Sequence, residues 1–119
     1  MIVIYHNPES KNSKSGLEIL ETSKHDSQKI KYQDRPLDAI KLQKIINILK
    51  ISPKEIIRTN DLLWKQKFDH LIQNGVEFTD EEYIEIMIEH QELIERPIVI
   101  NGQKAVIGEP PKKIFQITQ

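Results

Sequence analysis

The spacing of apolar residues changes from that of a strand to that of a helix and back, and this order constrains the fold most. Residues 2–5, IVIY, are β-branched or aromatic and predict a buried strand. A helix is predicted next, capped by Asn12 or Ser13 and running to about Lys24, and residues 30–32 favour a second strand. Two strands joined by a helix form a parallel unit, because the crossover helix returns the chain to the same end of the sheet.

Three helical stretches are predicted in the middle of the chain. Asp38 begins the first, Asn60 or Asp61 the second, and Thr79 with Glu82 has the capping-box spacing at the start of the third. Their apolar stripes are Leu42, Ile45, Ile46 and Leu49; Trp64, Phe68, Leu71 and Ile72; and Tyr83, Ile84, Met87 and Ile88. Spacings of three and four residues are typical of helices that bury one face.

The C-terminal part predicts a β-hairpin. Residues 97–100 and 104–107 are strand-like, and Asn101-Gly102 between them is a strong hairpin-turn dipeptide. A short final helix is expected after Pro110-Pro111. The predicted fold class is therefore α/β, with a small mixed β-sheet flanked by helices. We expect one thioredoxin-like domain of residues 1–119 with a helical insertion at about 38–92.

Composition excludes several function classes. A net charge of −1 over 119 residues gives no long-range attraction to nucleic acid, so we expect no direct nucleic-acid binding. No apolar run approaches the roughly 20 residues of a membrane helix, and MIVIY is shorter than the apolar core of a secretory signal. We expect a cytoplasmic protein that does not bind membranes. Its four histidines have no metal-binding spacing, and no metal site is predicted.

The chain contains no cysteine. It therefore has no disulfide, no thiolate nucleophile and no zinc–thiolate site. The only sulfur atoms belong to Met1 and Met87, and thioethers do not form disulfides. Chemistry that alternates between thiol and disulfide is thus excluded for this sequence as it stands.

Four segments together resemble one family. YHNPESKNSK, IRTND, LIERPIVING and KAVIGEPPKKIF occur in this order across essentially the whole chain. They resemble segments of the glutaredoxin-coupled arsenate reductases and their relatives, which include the Spx-type regulators. The resemblance implies a thioredoxin-like fold with a helical insertion. It also implies an oxyanion substrate, three anion-binding arginines, and glutathione and glutaredoxin as electron donors, with no cofactor held by the protein itself.

Carried over by position, the resemblance assigns the site residues. The family's nucleophilic cysteine falls on Ser10, and two of its arginines fall on Arg58 and Arg96. The third arginine falls on Glu109, and the arginine that often ends the first loop is here Lys14. The resemblance also implies an anion-binding role for Asn7 and a structural cis-proline at Pro97.

Two of these positions depart from the family pattern. A serine hydroxyl stays protonated near neutral pH unless a base activates it, and it cannot donate two electrons through sulfur. Glu109 replaces a cation by an anion, and we expect its carboxylate to pair internally with Arg58 or Arg96. Such a pair would turn an anion pocket into a structural ion pair. The alternative for residues 6–14 is that they only cap the helix.

Three functions remain open from the sequence. The first is a redox-inactive family member that binds a protein partner or a small oxyanion. The second is an arsenate reductase-type oxidoreductase in which Ser10 is a laboratory replacement of cysteine, although Glu109 is not a usual engineering choice. The third is an Spx-like adaptor of a transcription complex.

Overall fold

A computed structural model describes residues 2–31 and 34–118. The chain divides into two compact units. The first comprises Met1–Pro36 and Arg96–Gln119, and the second comprises Leu37–Glu95. The α/β class and the mixed sheet with flanking helices are confirmed. The end of the second predicted strand, Tyr32, lies outside the described residues.

The first unit contains a four-stranded sheet with the order β2-β1-β3-β4. Its strands are β1 (Ile2–His6), β2 (Ser27–Lys31), β3 (Ile98–Asn101) and β4 (Lys104–Ile107), and helix α1 spans Lys11–Thr22. Strand β1 is parallel to β2 and antiparallel to β3, which is antiparallel to β4. The predicted parallel unit and hairpin therefore join in one mixed sheet.

The core of the first unit follows from alternation along β1. Ile2 and Ile4 are buried while Val3 and Tyr5 are partly exposed, because successive side chains of a strand point to opposite faces. Leu20 of α1 packs on this face with Val99 of β3. The C-terminal segment, a 3₁₀ turn at Pro111–Ile114 and a short helix at Phe115–Thr118, adds Ile114 and Ile117 to the same core.

The second unit is helical. It contains α2 (Ala39–Leu49), α3 (Leu62–Lys67), α4 (Asp69–Gln73) and α5 (Asp80–Glu89), with 3₁₀ turns at Pro53–Ile56 and Gln91–Leu93. Its aromatic cluster is centred on Trp64, whose ring stacks on Phe68 and Tyr83 with centroids 5.0 and 6.3 Å away. Trp64 is only 3% exposed, so it is a core residue.

Two predicted helix starts are confirmed in detail. The Asp38 carboxylate accepts the backbone N–H of Lys41 at 2.7 Å and caps α2. Thr79 and Glu82 form a reciprocal capping box, in which each side chain accepts the other residue's backbone N–H. Caps of this kind are predictable because they satisfy N–H groups that the first helical turn leaves without partners.

Three local predictions were wrong. Helix α1 is capped by Ser10 instead of Asn12 or Ser13 and begins earlier. The second helical stretch is interrupted at Phe68, where the backbone leaves helical dihedrals. The hairpin turn is Gly102-Gln103, since Asn101 still pairs with Lys104, and Gly102 takes the positive φ of 63° that the turn requires.

Candidate functional site at the start of the first helix

Ser10 is built into the backbone of α1 as its N-cap. Its Oγ accepts the backbone N–H of Ser13 at 3.3 Å, and its own N–H donates to the carbonyl of Asn7 at 3.0 Å. Its φ and ψ of −84° and 131° are extended, as an N-cap requires. The hydroxyl at the predicted nucleophile position therefore serves as an acceptor in the first turn of the helix.

Asn7 and Ser13 hold the loop closed from the other side. The backbone N–H of Asn7 donates to the Ser13 Oγ at 3.1 Å, and Ser13 is completely buried. The Asn7 side-chain oxygen accepts the N–H of Glu9 at 3.0 Å. Asn7 thus shapes the loop, and its amide oxygen is already used within it.

The first turn of α1 offers donors to an anion. The backbone N–H groups of Lys11 and Asn12 have no acceptor among residues 2–31 and 34–118, whereas that of Lys14 donates to the Ser10 carbonyl at 3.1 Å. The side chains of Lys11 and Lys14 are exposed, and the first turn contains no acidic residue. Free N–H groups and the helix dipole make such a terminus positive.

Replacing Ser10 tests its role as a cap. We expect Ser10→Ala to lower the free energy of unfolding by about 1 kcal/mol, because the N–H of Ser13 loses its acceptor. Urea denaturation followed by circular dichroism measures the change. Ser15→Ala is the matched control, because Ser15 is exposed inside α1, and it should leave stability unchanged or slightly higher. Equal stability of Ser10→Ala and the wild type would reject the cap.

Strand register gathers most of the predicted site residues at one end of the sheet. Tyr5 pairs with Ile98, and Ile98 pairs with Ile107. The segments that continue these strands at this end are the loop from Asn7, the Arg96-Pro97 dipeptide and the turn containing Glu109. Ser10 and Lys14 follow within that loop and helix, so five predicted residues and Pro97 lie in the first unit.

Pro97 packs between the backbones of α1 and the segment after β4. The Arg96–Pro97 peptide bond is cis, and the Pro97 carbonyl accepts the N–H of Gly108 at 2.8 Å. A Cβ added at Gly108 would lie 2.8 Å from Pro97 Cγ, and one at Gly16 would lie 3.3 Å from it. A side chain at Gly108 would therefore clash with the proline ring, and one at Gly16 would be in tight contact with it.

His6 is a buried polar residue at the end of β1, directly before Asn7. Its side chain is 4% exposed. Burial is the largest cause that lowers the pKa of its imidazole, and the positive charges of Lys31, Lys29 and Arg96 lower the pKa further. Both causes favour a neutral ring. Because the charge of Arg96 contributes to this lowering, Arg96 lies close enough to His6 to act on it electrostatically. Arg96 is itself only 6% exposed.

Comparison with known proteins decides the family. The chain matches the ArsC family over residues 5–117. It is 35% identical to an arsenate reductase of Haemophilus influenzae over 117 residues, which cover 98% of this chain and 97% of that protein. The chain belongs to the ArsC family. It is also 32% identical to the uncharacterized protein YfgD of Escherichia coli K12, over 98% of this chain and 95% of that protein.

Solved structures agree with this assignment. An arsenate reductase from Vibrio cholerae superposes with a TM-score of 0.87 and 31% identity, over 98% of this chain and 96% of that one. The thioredoxin-like fold of this ArsC-family chain is thereby confirmed. The resemblance seen in the sequence is confirmed at the level of the family.

Glu109, which the resemblance places at the third arginine position, forms no ion pair with Arg96 among the described residues. Its side chain is exposed. The following peptide bond, Glu109–Pro110, is cis, and no feature of the sequence predicted this. Glu109 therefore adds a solvated negative charge near the end of β4.

Arg58 belongs to the second unit. It follows Ile57, which forms an isolated antiparallel bridge with Ile94, and the Arg58 backbone N–H donates to the Leu93 carbonyl at 2.8 Å. Its carbonyl accepts the N–H of Asp61, the residue that caps α3. These contacts fix the backbone around a half-buried Arg58. Its anion-binding role and its pairing with Glu109 stay predictions.

No group of three or more acidic or histidine side chains fit to hold a metal ion occurs among the described residues. No helix there is long and apolar enough to cross a membrane. The acidic run of α5, Asp80, Glu81, Glu82, Glu85 and Glu89, is exposed throughout. It begins at the helix N-terminus, where acidic side chains are favourable.

Proposed function

We propose that this ArsC-family protein does not reduce arsenate and that residues Asn7–Lys14 bind a small oxyanion without transforming it. The observation that carries the proposal is the role of Ser10. Its hydroxyl oxygen caps α1 at the position where the resemblance expects a thiolate. Residue 10 thus has a structural role in the loop, but it lacks the sulfur atom that electron transfer needs.

The chemistry of the side chain supports a redox-inactive site. Thiol-dependent reduction needs a nucleophilic sulfur that then forms a mixed disulfide with a second thiol. The sequence has no cysteine at position 10 or elsewhere. Even an ionised serine could only form an ester with an oxyanion, which leaves the oxidation state of the central atom unchanged.

The charges of α1 support binding of an anion. Lys11 and Lys14 lie in the first turn, where cations are unfavourable because the helix N-terminus is itself positive. The first turn of α5, by contrast, has three acidic residues. A bound oxyanion would accept hydrogen bonds from the free N–H groups of Lys11 and Asn12 and offset both lysine charges.

An NMR titration tests the proposal. We expect arsenate and inorganic phosphate, added at constant ionic strength, to shift the backbone amide signals of Lys11 and Asn12 saturably. The same protein, incubated with arsenate, glutathione and glutaredoxin, should form no arsenite. The Lys11→Gln/Lys14→Gln variant should bind about tenfold or more weakly, because it loses two charge-assisted contacts.

The control variant is Lys65→Gln/Lys67→Gln, which removes the same charge from exposed positions of α3 and should bind like the wild type. Arsenite formation by the unchanged chain would contradict the redox-inactive assignment. Unshifted Lys11 and Asn12 amides would contradict oxyanion binding and favour the Spx-like role with a protein partner. The proposal includes a cytoplasmic location, which fractionation of the source cells tests separately.

A further inference from the structure

A cavity lies along β2, the outer strand of the sheet in the first unit. Its volume is about 420 Å³, within the range of small-molecule sites. It is lined by His6, Gln28, Lys29, Ile30, Lys31, Asp34 and Arg35. None of these residues belongs to the Asn7–Lys14 loop, so the cavity is a separate feature. We call it the β2 pocket.

Strand register explains how its charges come together. Strand β2 is at the edge of the sheet, and its Lys29 and Lys31 pair with Ile4 and His6 of β1. Paired residues point to the same face, so both lysines share the face of the His6 ring. After β2, the backbone N–H of Arg35 donates to the Lys31 carbonyl at 3.0 Å. This hydrogen bond keeps Arg35 close to the end of the strand.

The charge of the β2 pocket favours an anion. Its lining contains three cations, Lys29, Lys31 and Arg35, and one carboxylate, Asp34. Lys29 is partly neutralised by Glu21, 3.3 Å away, which leaves Lys31 and Arg35 as the principal cations. Both cations act on neighbouring groups of β1. Lys31 lowers the pKa of His6, and Arg35 lowers the pKa of Tyr5, although burial raises the Tyr5 pKa by more. With three cations against one carboxylate, the lining keeps an excess of positive charge, and such an excess concentrates ligands of the opposite sign.

His6 provides an independent indication of a ligand. Both of its ring nitrogens are buried and have no hydrogen-bond partner in the part of the chain that the structure describes. Buried polar atoms nearly always have a partner, and leaving one unsatisfied is costly. A neutral imidazole carries one donor and one acceptor, so in the cavity lined by this ring a phosphate oxygen can accept its N–H and a ligand hydroxyl can donate to its other nitrogen.

We propose that the β2 pocket binds a small phosphomonoester. The planar guanidinium of Arg35 suits the bidentate recognition of a phosphate, and Lys31 contributes a second, compact charge. Two cations match a dianionic phosphoryl group. A cavity of about 420 Å³ exceeds the size of a phosphate alone and leaves room for its organic part. The proposal does not depend on oxyanion binding by the loop.

A titration with glycerol 2-phosphate tests this proposal. We expect saturable shifts of the His6 ring signals and of the Arg35 side-chain signal, while the rings of His25, His70 and His90 stay unchanged. Inorganic phosphate should bind at the same place more weakly, since it lacks the organic part. Succinate, a dicarboxylate, should bind more weakly still. The Lys31→Gln/Arg35→Gln variant should lose at least about tenfold in affinity.

The matched control is Lys112→Gln/Lys113→Gln, which removes two exposed positive charges elsewhere in the first unit and should leave affinity within about twofold. Circular dichroism establishes that both variants are folded. The proposal is overturned by an unsaturable titration, by equal weakening in the control, or by succinate binding as tightly as the phosphomonoester. Shifts confined to the amides of Lys11 and Asn12 would assign the phosphate to the loop and also overturn it.

Discussion

The Ser10→Cys/Glu109→Arg double variant is expected to acquire glutaredoxin-dependent arsenate reduction that the unchanged chain lacks. The first substitution supplies the sulfur nucleophile at the start of α1, where free N–H groups lower the pKa of a thiol and favour the thiolate. The second restores a cation at the position that the ArsC resemblance assigns to an arginine. Arsenite formation, coupled to glutathione oxidation, is the measurement.

The two single variants separate these contributions. At about 4 Å, each unit charge changes the interaction with a bound oxyanion by roughly 1–4 kcal/mol, and Glu109→Arg changes the local charge by two units. We therefore expect Ser10→Cys alone to be at least about tenfold less active than the double variant. Glu109→Arg alone has no sulfur and should be inactive. Its affinity for arsenate should rise nevertheless.

Equal activity of Ser10→Cys and the double variant would show that Glu109 does not act on the bound anion. An inactive but folded double variant would show that the loop cannot support arsenate reduction even with a cysteine at position 10. Glu109→Gln is a further control, because it removes the negative charge without adding a positive one. Its arsenate affinity should lie between those of the wild type and Glu109→Arg.

Trp64→Ala is expected to have the largest effect on stability. Its indole is 3% exposed and lies between the rings of Phe68 and Tyr83, with Phe78 at its edge, 6.4 Å between centroids. Truncation removes this burial and leaves a cavity, which costs about 3–5 kcal/mol. Urea denaturation must be followed by circular dichroism, because Trp64 is the only tryptophan.

Leu62→Ala, two residues away at the start of α3, is the control. Its side chain is 67% exposed, and its truncation should change the free energy of unfolding by no more than about 0.5 kcal/mol. A Trp64→Ala penalty below about 1 kcal/mol would contradict its role as the centre of the second unit's core. If the two units unfold in separate steps, the loss should appear in the step of the helical unit.

Local signals allowed the helix starts to be predicted. Asp38 and Thr79 cap α2 and α5 as expected, because a cap needs only a side-chain oxygen a few residues from the free N–H groups that it satisfies. The start of α1 was less clear, because Ser10, Asn12 and Ser13 are all suitable caps. In the structure, Ser13 lies inside α1 and its hydroxyl accepts the Asn7 N–H, whereas Ser10 accepts the Ser13 N–H and is the cap.

Long-range features were harder to predict. Nothing in the sequence around His6 shows that its ring nitrogens are buried without partners among residues 2–31 and 34–118, or that Lys29, Lys31 and Arg35 line one pocket with it. These facts depend on the pairing of β1 with β2, whose residues are separated by the whole of α1. Likewise, the position of Glu109 relative to Arg96 depends on the register of β3 and β4.

The amino-acid sequence alone determined the absence of a thiol, the order of strands and helices and, through its motifs, the ArsC family. These are properties of composition and of short segments, and they need no knowledge of distant contacts. Only the tertiary structure decided that Ser10 caps α1, that no ion pair joins Glu109 to Arg96 among the described residues, and that three cations line a cavity with the buried His6. The physical reason is that strand register and burial bring together side chains far apart along the chain, and the energies of these contacts are not encoded in any one segment.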